Sequence, residues 1–389
     1  MASTIPLPAQ ASAVRPAEAA KASIPWYLWC AVFAATSAMV GAHWDISWHR
    51  SIGRDSFWTP AHIAIYLCGV LAGASCAYLI LSRTFGNVKD EATVRMWGFR
   101  APLGAFLASW GGVAMLTSAP FDDWWHNAYG LDVKIVSPPH VLLIFGAFMV
   151  MMGALILTLG QMNRSQGAER RKLDWVFLYT GALIIVLMMI LLMEYTIRIF
   201  MHTAGFYQKT ALAIPFVLAG VARASGLRWS ATITAGIYSL FLLGCLWILP
   251  LFPAEPKLGP VYYPVKQFVP PEFPLLFVVP ALLLDILWKR TESWNRWLLA
   301  AASGAIFLGA FLAVQWPFAD FLMSAGARNW FFGSHYFGYY AHPNSYLVRN
   351  LFIPAEPEFW RNMALALVFA IISMRAGIGW GEWMRKIRR

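Results

Sequence analysis

The chain repeatedly runs apolar for about 20 residues at a stretch, long enough for a helix to cross a bilayer, and nothing else in it limits the fold so strongly. In lipid every backbone N–H and C=O must be satisfied internally, which leaves helix bundles and closed barrels. Runs without alternation mean helices, since barrel strands alternate every second residue. Composition agrees: 59% of the 389 residues are hydrophobic and only 13% charged, whereas a soluble domain is about 25% charged. The expected fold class is all-α, a polytopic integral membrane helix bundle of about ten transmembrane helices. They fall near residues 26–44, 62–82, 101–119, 139–160, 174–196, 209–222, 229–249, 272–288, 297–316 and 361–377. The segment 209–222 is short and holds Pro215. The first span has the length of a signal peptide but runs straight into a polar motif, so it is read as a span. Residues 1–23, rich in Ala, Pro and Ser, read as a disordered tail.

A net charge of +11 invites a nucleic-acid reading, but the cations flank the apolar segments. Positive-inside topology and anionic lipid account for them, and no nucleic-acid partner is expected. Arg83, Arg95 and Arg100 fall in one connection, Arg164, Arg170, Arg171 and Lys172 in the next but one, and Arg385, Lys386 and Arg388 near the end. This alternation predicts both termini on the cytoplasmic side. The four cysteines lie inside apolar segments with no Cys-x-x-Cys, so neither a disulfide framework nor a thiolate metal site is indicated. The 20 Trp and 14 Tyr suit interfacial belts.

Two short stretches repeat one pattern. The first has Asp45, His49 and, after Thr59-Pro60-Ala61, His62; the second has Asp122, His126 and, after Ser137-Pro138-Pro139, His140. Four of the 8 histidines fall in these frames. On a helix, residues four apart share a face, with Cβ atoms about 5–6 Å apart, so each Asp/His pair can converge at a helix end. Thr59 and Ser137 are natural N-caps, and Pro60 and Pro138 suit the first helical position. Each motif therefore reads as helix, short re-entry, helix, with the second histidine in the first turn of the following helix. Both frames fall in connections on the outer side of the predicted topology.

Two imidazoles and a carboxylate leave open coordination positions and suit non-haem iron, zinc or copper; open positions are what a catalytic metal needs. The plainer reading is an interfacial polar network, or a duplication whose sites hold no ion. Residues 24–160 thus form a metal-motif half and 161–389 a second membrane half of unassigned role.

At these residues the chain resembles the C subunit of the copper membrane monooxygenases, the particulate methane and ammonia monooxygenases. That subunit carries Asp-x3-His-x12-His, matched by Asp45, His49 and His62, and Asn-x3-His-x13-His, matched by Asp122, His126 and His140. The stretch Gly53-Arg54-Asp55-Ser56-Phe57-Trp58-Thr59-Pro60-Ala61-His62-Ile63 is similar to the family's Arg-Asp-Thr-Asp-Phe-Thr-Pro-x-His. The resemblance covers roughly residues 40–145 and implies copper at both sets, with dioxygen-dependent oxidation of a small apolar substrate. It also implies A- and B-type partner subunits, or failing these a homo-oligomer, in the lipid of a bacterial inner membrane, the motifs facing the periplasm. The chain departs from the family in having Asp122 where asparagine stands, a single helix before the first motif, and 249 residues after the second. Two other functions fit the same residues: a periplasm-facing copper-binding or transport protein, and a zinc-dependent membrane hydrolase, for which Ser47 and Asp123 are the nearest water-activating groups.

Other polar residues stand out. Glu194, Arg198 and His202, spaced i, i+4, i+8, are expected near the outer end of one helix as a proton or substrate path. His335 and His342 lie in an aromatic outer loop. His43 should face away from the Asp45 set, Met149, Met151 and Met152 read as packing residues, and Asp285 is expected to pair with Lys289.

Overall fold

The computed structural model describes residues 24–86, 92–130, 136–259, 265–291, 293–333 and 356–388. His335, His342 and the expected disordered tail lie outside these residues.

The regular structure of the described residues is helical apart from one small hairpin and an isolated bridge between Pro253 and Gln267. In order come α1 (Trp26–Ser51), α2 (Pro60–Phe85), strands β1 (Val94–Met96) and β2 (Phe99–Ala101), α3 (Leu103–Tyr129), α4 (Pro138–Met162) and α5 (Gly167–Leu191). Then follow the single turn α6 (Met193–Thr196), α7 (Ala204–Ala224), α8 (Ser230–Ile248), α9 (Val278–Arg290), α10 (Arg296–Met323) and α11 (Phe359–Met384). Among the described residues six helices are both long and apolar enough to cross a bilayer: α2, α4, α5, α8, α10 and α11. The sequence suggested about ten spans. Helices α1, α3 and α7 have the length but less apolar sequences, and the 13-residue α9 is too short to span. Its expected first residues are instead an extended segment packed inside the bundle, where Leu275 and Phe277 are buried.

The hairpin was not foreseen. Val94 pairs with Ala101 and Met96 with Phe99, leaving Trp97 (φ 50°) and Gly98 (φ 88°) as a two-residue turn with both φ positive, the geometry that matches strand twist. It joins α2 to α3 at the end opposite the two motifs.

Helices α1 to α4 pack in sequence, each on the next, as an up-down-up-down group. Their seams are glycine-lined. A Cβ on Gly111 of α3 would stand 2.6 Å from the Gly146 carbonyl of α4, and one on Gly112 would stand 2.7 Å from the Gly69 carbonyl of α2. Within lipid no hydrophobic drive pulls helices together, so close backbone approach over small residues supplies the packing. Helix α5, the most enclosed of the six apolar helices, joins this group to the rest, where α11 lies along α7 with Phe216 stacked on Trp380 at 4.8 Å. One buried core runs from Leu28 to Met384 through both halves.

Buried carboxylates are spent on structure. Asp174 takes the Ser225 hydroxyl and the Gly226 N–H and pairs with Arg170. Asp285 does not pair with Lys289 as expected: its oxygens accept from the Ala231 and Thr232 N–H groups and the Thr232 hydroxyl at the start of α8, while Lys289 lies over the Trp229 ring. The donors of a helix N-terminus hold this carboxylate better than a flexible side chain one turn away.

Candidate metal centre

Both motifs take the expected path. Asp45 and His49 occupy the last two turns of α1, and His62 is the third residue of α2. Asp122 and His126 occupy the last turns of α3, and His140 is the third residue of α4. Pro60 and Pro138 open their helices as anticipated. The Ser137 side chain caps α4 by accepting from the His140 N–H, but Thr59 does not cap α2. Its hydroxyl accepts instead from the Ser56 N–H at 2.8 Å, tightening the preceding turn.

In the second cluster both imidazoles turn Nε2 toward one carboxylate. His126 Nε2 is 3.4 Å from Asp122 Oδ2 and His140 Nε2 is 3.5 Å from Asp122 Oδ1. The first cluster has the same core: His49 Nε2 lies 3.7 Å from Asp45 Oδ2, and His62 Nε2 lies 3.2 Å from Asp45 Oδ1. It adds a residue that the spacing did not point to. Asp55 Oδ2 lies 3.4 Å from His49 Nε2 and 3.0 Å from His62 Nε2. The pattern sought was residues four apart on a helix, and Asp55 sits in the connection, where no periodicity applies. The Arg54-Asp55 pair in the family-like stretch was the available signal.

The fold explains why Asp55 is presented. Gly53 takes φ 101°, a conformation other residues resist, with Gly259 packed 3.1 Å from where its Cβ would be. The Trp48 indole donates to the Arg54 carbonyl, the Leu258 N–H to the Ile52 carbonyl, and Lys257 Nζ to the Ser51 carbonyl. The loop after α8 thus braces the turn, around a small core of Ile52, Ala254 and Phe268.

One feature recurs in the two clusters. Asp45 Oδ1 and Asp122 Oδ1 are buried yet take no hydrogen bond. Each lies 3.2–3.5 Å from an imidazole nitrogen, close enough for charge attraction but outside hydrogen-bond geometry. A buried carboxylate oxygen without a donor is costly. The same carboxylate oxygen is orphaned in both clusters, each time facing one Nε2 while the second imidazole faces the other oxygen of that carboxylate; such a set suits a cation better than a finished polar network. The distances agree: with bonds of about 2.0–2.1 Å, tetrahedral ligands stand about 3.3 Å apart. Three side chains in each cluster place ligand atoms mutually within 4.8 Å: Asp122, His126 and His140 as expected, and Asp45, His49 and Asp55, with the expected His62 outside that group though close to both carboxylates.

The clusters are neighbours, Asp122 lying within electrostatic reach of His62 and Asp55. Asp123 is exposed and bound to the Asn127 amide. Ser47 faces the other side of α1, its hydroxyl donating to the Val269 carbonyl at 2.6 Å. His43 also turns away as expected, its Nδ1 donating to the Met39 carbonyl. With Arg50 and Glu272 it lines a cavity of about 80 Å³ between α1, α5, α8 and the segment around Val269.

The expected Glu194/Arg198/His202 row does not share one helix. Helix α5 ends at Leu191; Glu194 is exposed on α6, Arg198 begins a 3-10 turn, and His202 follows in a turn before α7. Arg198 is drawn off by Glu272, at 2.5 Å, and the Phe332 carbonyl. His202 Nε2 faces Asp320 at 3.0 Å with its ring edge-on to Trp316.

Burial raises the affinity of Asp55 for a proton, but hydrogen bonds and charge from His49 and His62 outweigh it and hold the carboxyl well below the usual carboxylate range. A depressed folded value contributes stability above the unfolded value of about 4, lost as pH falls toward the folded one. The metal-free protein is therefore expected to lose stability on acidification from about pH 5 to pH 3. Asp55→Asn should flatten that slope, as read by thermal unfolding in detergent across pH; an unchanged slope would remove Asp55 from the account.

Fold and site together define a helical protein with, among the described residues, six helices apolar enough for a membrane and paired Asp/His clusters at one end of a four-helix group. Compared with family models, with curated proteins and with solved structures, the chain matches none of them.

Proposed function

We propose that the chain is a multi-pass membrane metalloprotein that holds copper at two neighbouring Asp/His clusters and oxidises a small apolar substrate with dioxygen. The observation that carries the metal reading is the twice-repeated orphaned oxygen, Asp45 Oδ1 and Asp122 Oδ1, on a carboxylate that faces two imidazole Nε2 atoms, one at each oxygen. Copper and oxidation rest on the resemblance of residues 40–145 to the copper membrane monooxygenase C subunit. Zinc and iron suit the same donors, though copper binds most tightly among the divalent ions.

A copper ion here would supply dioxygen binding and one-electron chemistry. The chain's residues do the rest. Asp45 and Asp122 present one oxygen to each of two imidazoles, and the first turns of α2 and α4 fix His62 and His140. A small apolar substrate would arrive through the surrounding lipid. The cations of the α2–α3 and α4–α5 connections lie at the opposite end, so the clusters face the periplasm of a bacterial inner membrane by the positive-inside rule. Partner subunits of the A and B type, or further copies of the chain, belong to this proposal. A copper-transport role is the second reading. The hydrolase reading is weakened because the Ser47 hydroxyl is spent on the Val269 carbonyl.

The test is elemental analysis of the full chain purified in detergent, followed by oxygen consumption with short alkanes or ammonia. One ion per cluster, copper in excess over zinc, and substrate-dependent oxygen uptake lost in the His126→Ala/His140→Ala variant are expected. Protein that binds no transition metal would end the proposal. Copper bound without oxygen uptake, alone or with partner subunits, would transfer it to transport.

A further inference from the structure

The two clusters differ in charge and in donor number, and the difference rests on Asp55. Taking the metal reading above as its basis, an imidazole bound through Nε2 is neutral. The first cluster then offers two carboxylates and two imidazoles, and the second one carboxylate and two imidazoles. Asp123 does not restore the balance, since it is exposed and engaged with Asn127. Asp45 and Asp55 have side chains only 21% and 12% exposed, and Asp122 22%. At such depth an uncompensated charge is expensive.

With a divalent ion the first cluster is neutral. The second would keep one positive charge, and it becomes neutral only with a monovalent ion or with an added anion. Geometry runs the same way. The four imidazole–carboxylate separations of the first cluster are 3.0, 3.2, 3.4 and 3.7 Å, around the edge of about 3.3 Å of a tetrahedron with bonds of about 2.0–2.1 Å. Each imidazole lies within 3.7 Å of both carboxylates; Asp45, His49 and Asp55 already place ligand atoms mutually within 4.8 Å, and His62, 3.2 Å and 3.0 Å from the two carboxylates, is the donor that must draw in to make four. The second cluster supplies three donors in all, and no other His, Cys, Asp or Glu among the described residues joins the group.

We infer that Asp55 closes the first cluster into a four-donor site for a divalent ion, while the second cluster keeps a vacant ligand position. The second site binds either a cuprous ion, or a divalent ion together with an exogenous anion. Exchange of ligands, and any reaction with small molecules, is confined to Asp122, His126 and His140; the first ion holds the ends of α1 and α2 together.

Azide, a small anion that gives a charge-transfer absorption with cupric ion, is the probe. The full chain in detergent, loaded with two cupric ions, should bind one azide tightly. That absorption should vanish in His126→Ala/His140→Ala and persist in Asp55→Ala. In Asp55→Ala the first site should either gain a second tight azide or lose its ion with at least a tenfold fall in affinity. Asp55→Asn, which keeps the shape and removes the charge, serves if the alanine variant does not fold. Under anaerobic reduction, competition with a cuprous chelator should show the second site holding the ion at least tenfold more tightly than the first. Two tight azides in the wild type, azide binding that survives loss of both second-site histidines, or an Asp55 variant with unchanged azide count and metal affinity would each overturn the inference. A wild-type chain that takes up no metal would instead overturn the underlying metal reading, and the two failures are distinguishable in one titration.

Discussion

His62→Ala is expected to strip the first cluster of its ion and to destabilise the ion-free protein by about 1–3 kcal/mol. Breaking a buried ion pair costs about 3–5 kcal/mol, and partial exposure of this cluster reduces that. His62 stands between two carboxylates, 3.2 Å from Asp45 and 3.0 Å from Asp55, with its side chain 14% exposed. Without it, Asp45 and Asp55 face each other with only His49 for compensation, and the His49 side chain is 48% exposed. The same reasoning makes His49→Ala the milder change, under about 1 kcal/mol in ion-free protein, because water screens what the side chain contributed. Thermal unfolding with and without chelator gives the stability terms, and elemental analysis gives the ion count. The ranking is the sharp part: an alanine at position 49 that hurts as much as one at 62 would mean the buried histidine is not the centre of the cluster.

Much of this cluster was legible beforehand because its parts obey helical periodicity. Asp45 with His49, and Asp122 with His126, are one turn apart on helices that run through the motifs. Pro60 and Pro138 mark where the next helices begin, which fixes His62 and His140 at equivalent places. Asp55 was not legible because a loop residue's position depends on distant chain: the Gly53 turn is braced by Gly259, Lys257 and Leu258, over 200 residues away. Spacing carries no trace of that brace. The resemblance to the monooxygenase C subunit stays a reading of five matched residues, one aspartate in place of asparagine, and one linking stretch.

Elsewhere the failures share a cause. Residues 192–203 contain no proline, and no glycine occurs there to signal a break, so Glu194, Arg198 and His202 read as one helical face. The break comes from tertiary pairing, since Arg198 reaches Glu272 and His202 reaches Asp320, partners in other segments. The segment expected at 272–288 begins as helix α9 only at Val278, six residues later, for a similar reason. The apolar residues before Val278 are buried as extended chain, held by the Tyr238 hydroxyl at the Leu275 N–H and by Gln315 at the Leu276 N–H. Hydropathy reports that a segment is buried, and it is silent on whether neighbours or the segment itself satisfy the backbone.

Gly111→Leu should cost the protein its second ion while touching none of the ligands. The site for a Cβ at Gly111 is 2.6 Å from the Gly146 carbonyl oxygen and 2.7 Å from the Val150 nitrogen, both backbone atoms of α4. Flexible side chains could move aside, but a helix backbone cannot, so α3 and α4 must separate. Seven residues away the seam repeats with Gly104 against the Gly153 carbonyl, which resists that separation and concentrates it toward the end carrying Asp122, His126 and His140. Overpacking of this kind typically costs about 1–3 kcal/mol, a visible fall in the unfolding temperature. The effect on metal should be larger than the effect on stability, since ligand positions tolerate only about 0.2 Å of error. Asp122 and His126 sit on one side of the wedge and His140 on the other. The first cluster, built on α1 and α2, should keep its ion. Gly236→Ala on α8, where a new Cβ meets nothing within 4 Å, is the control and should be neutral or stabilising by up to about 1 kcal/mol. If Gly111→Leu lowers the unfolding temperature yet retains both ions at wild-type affinity, the α3–α4 seam does not set the geometry of the second cluster. The convergence of Asp122, His126 and His140 would then have to be fixed locally, by the turn between the helices.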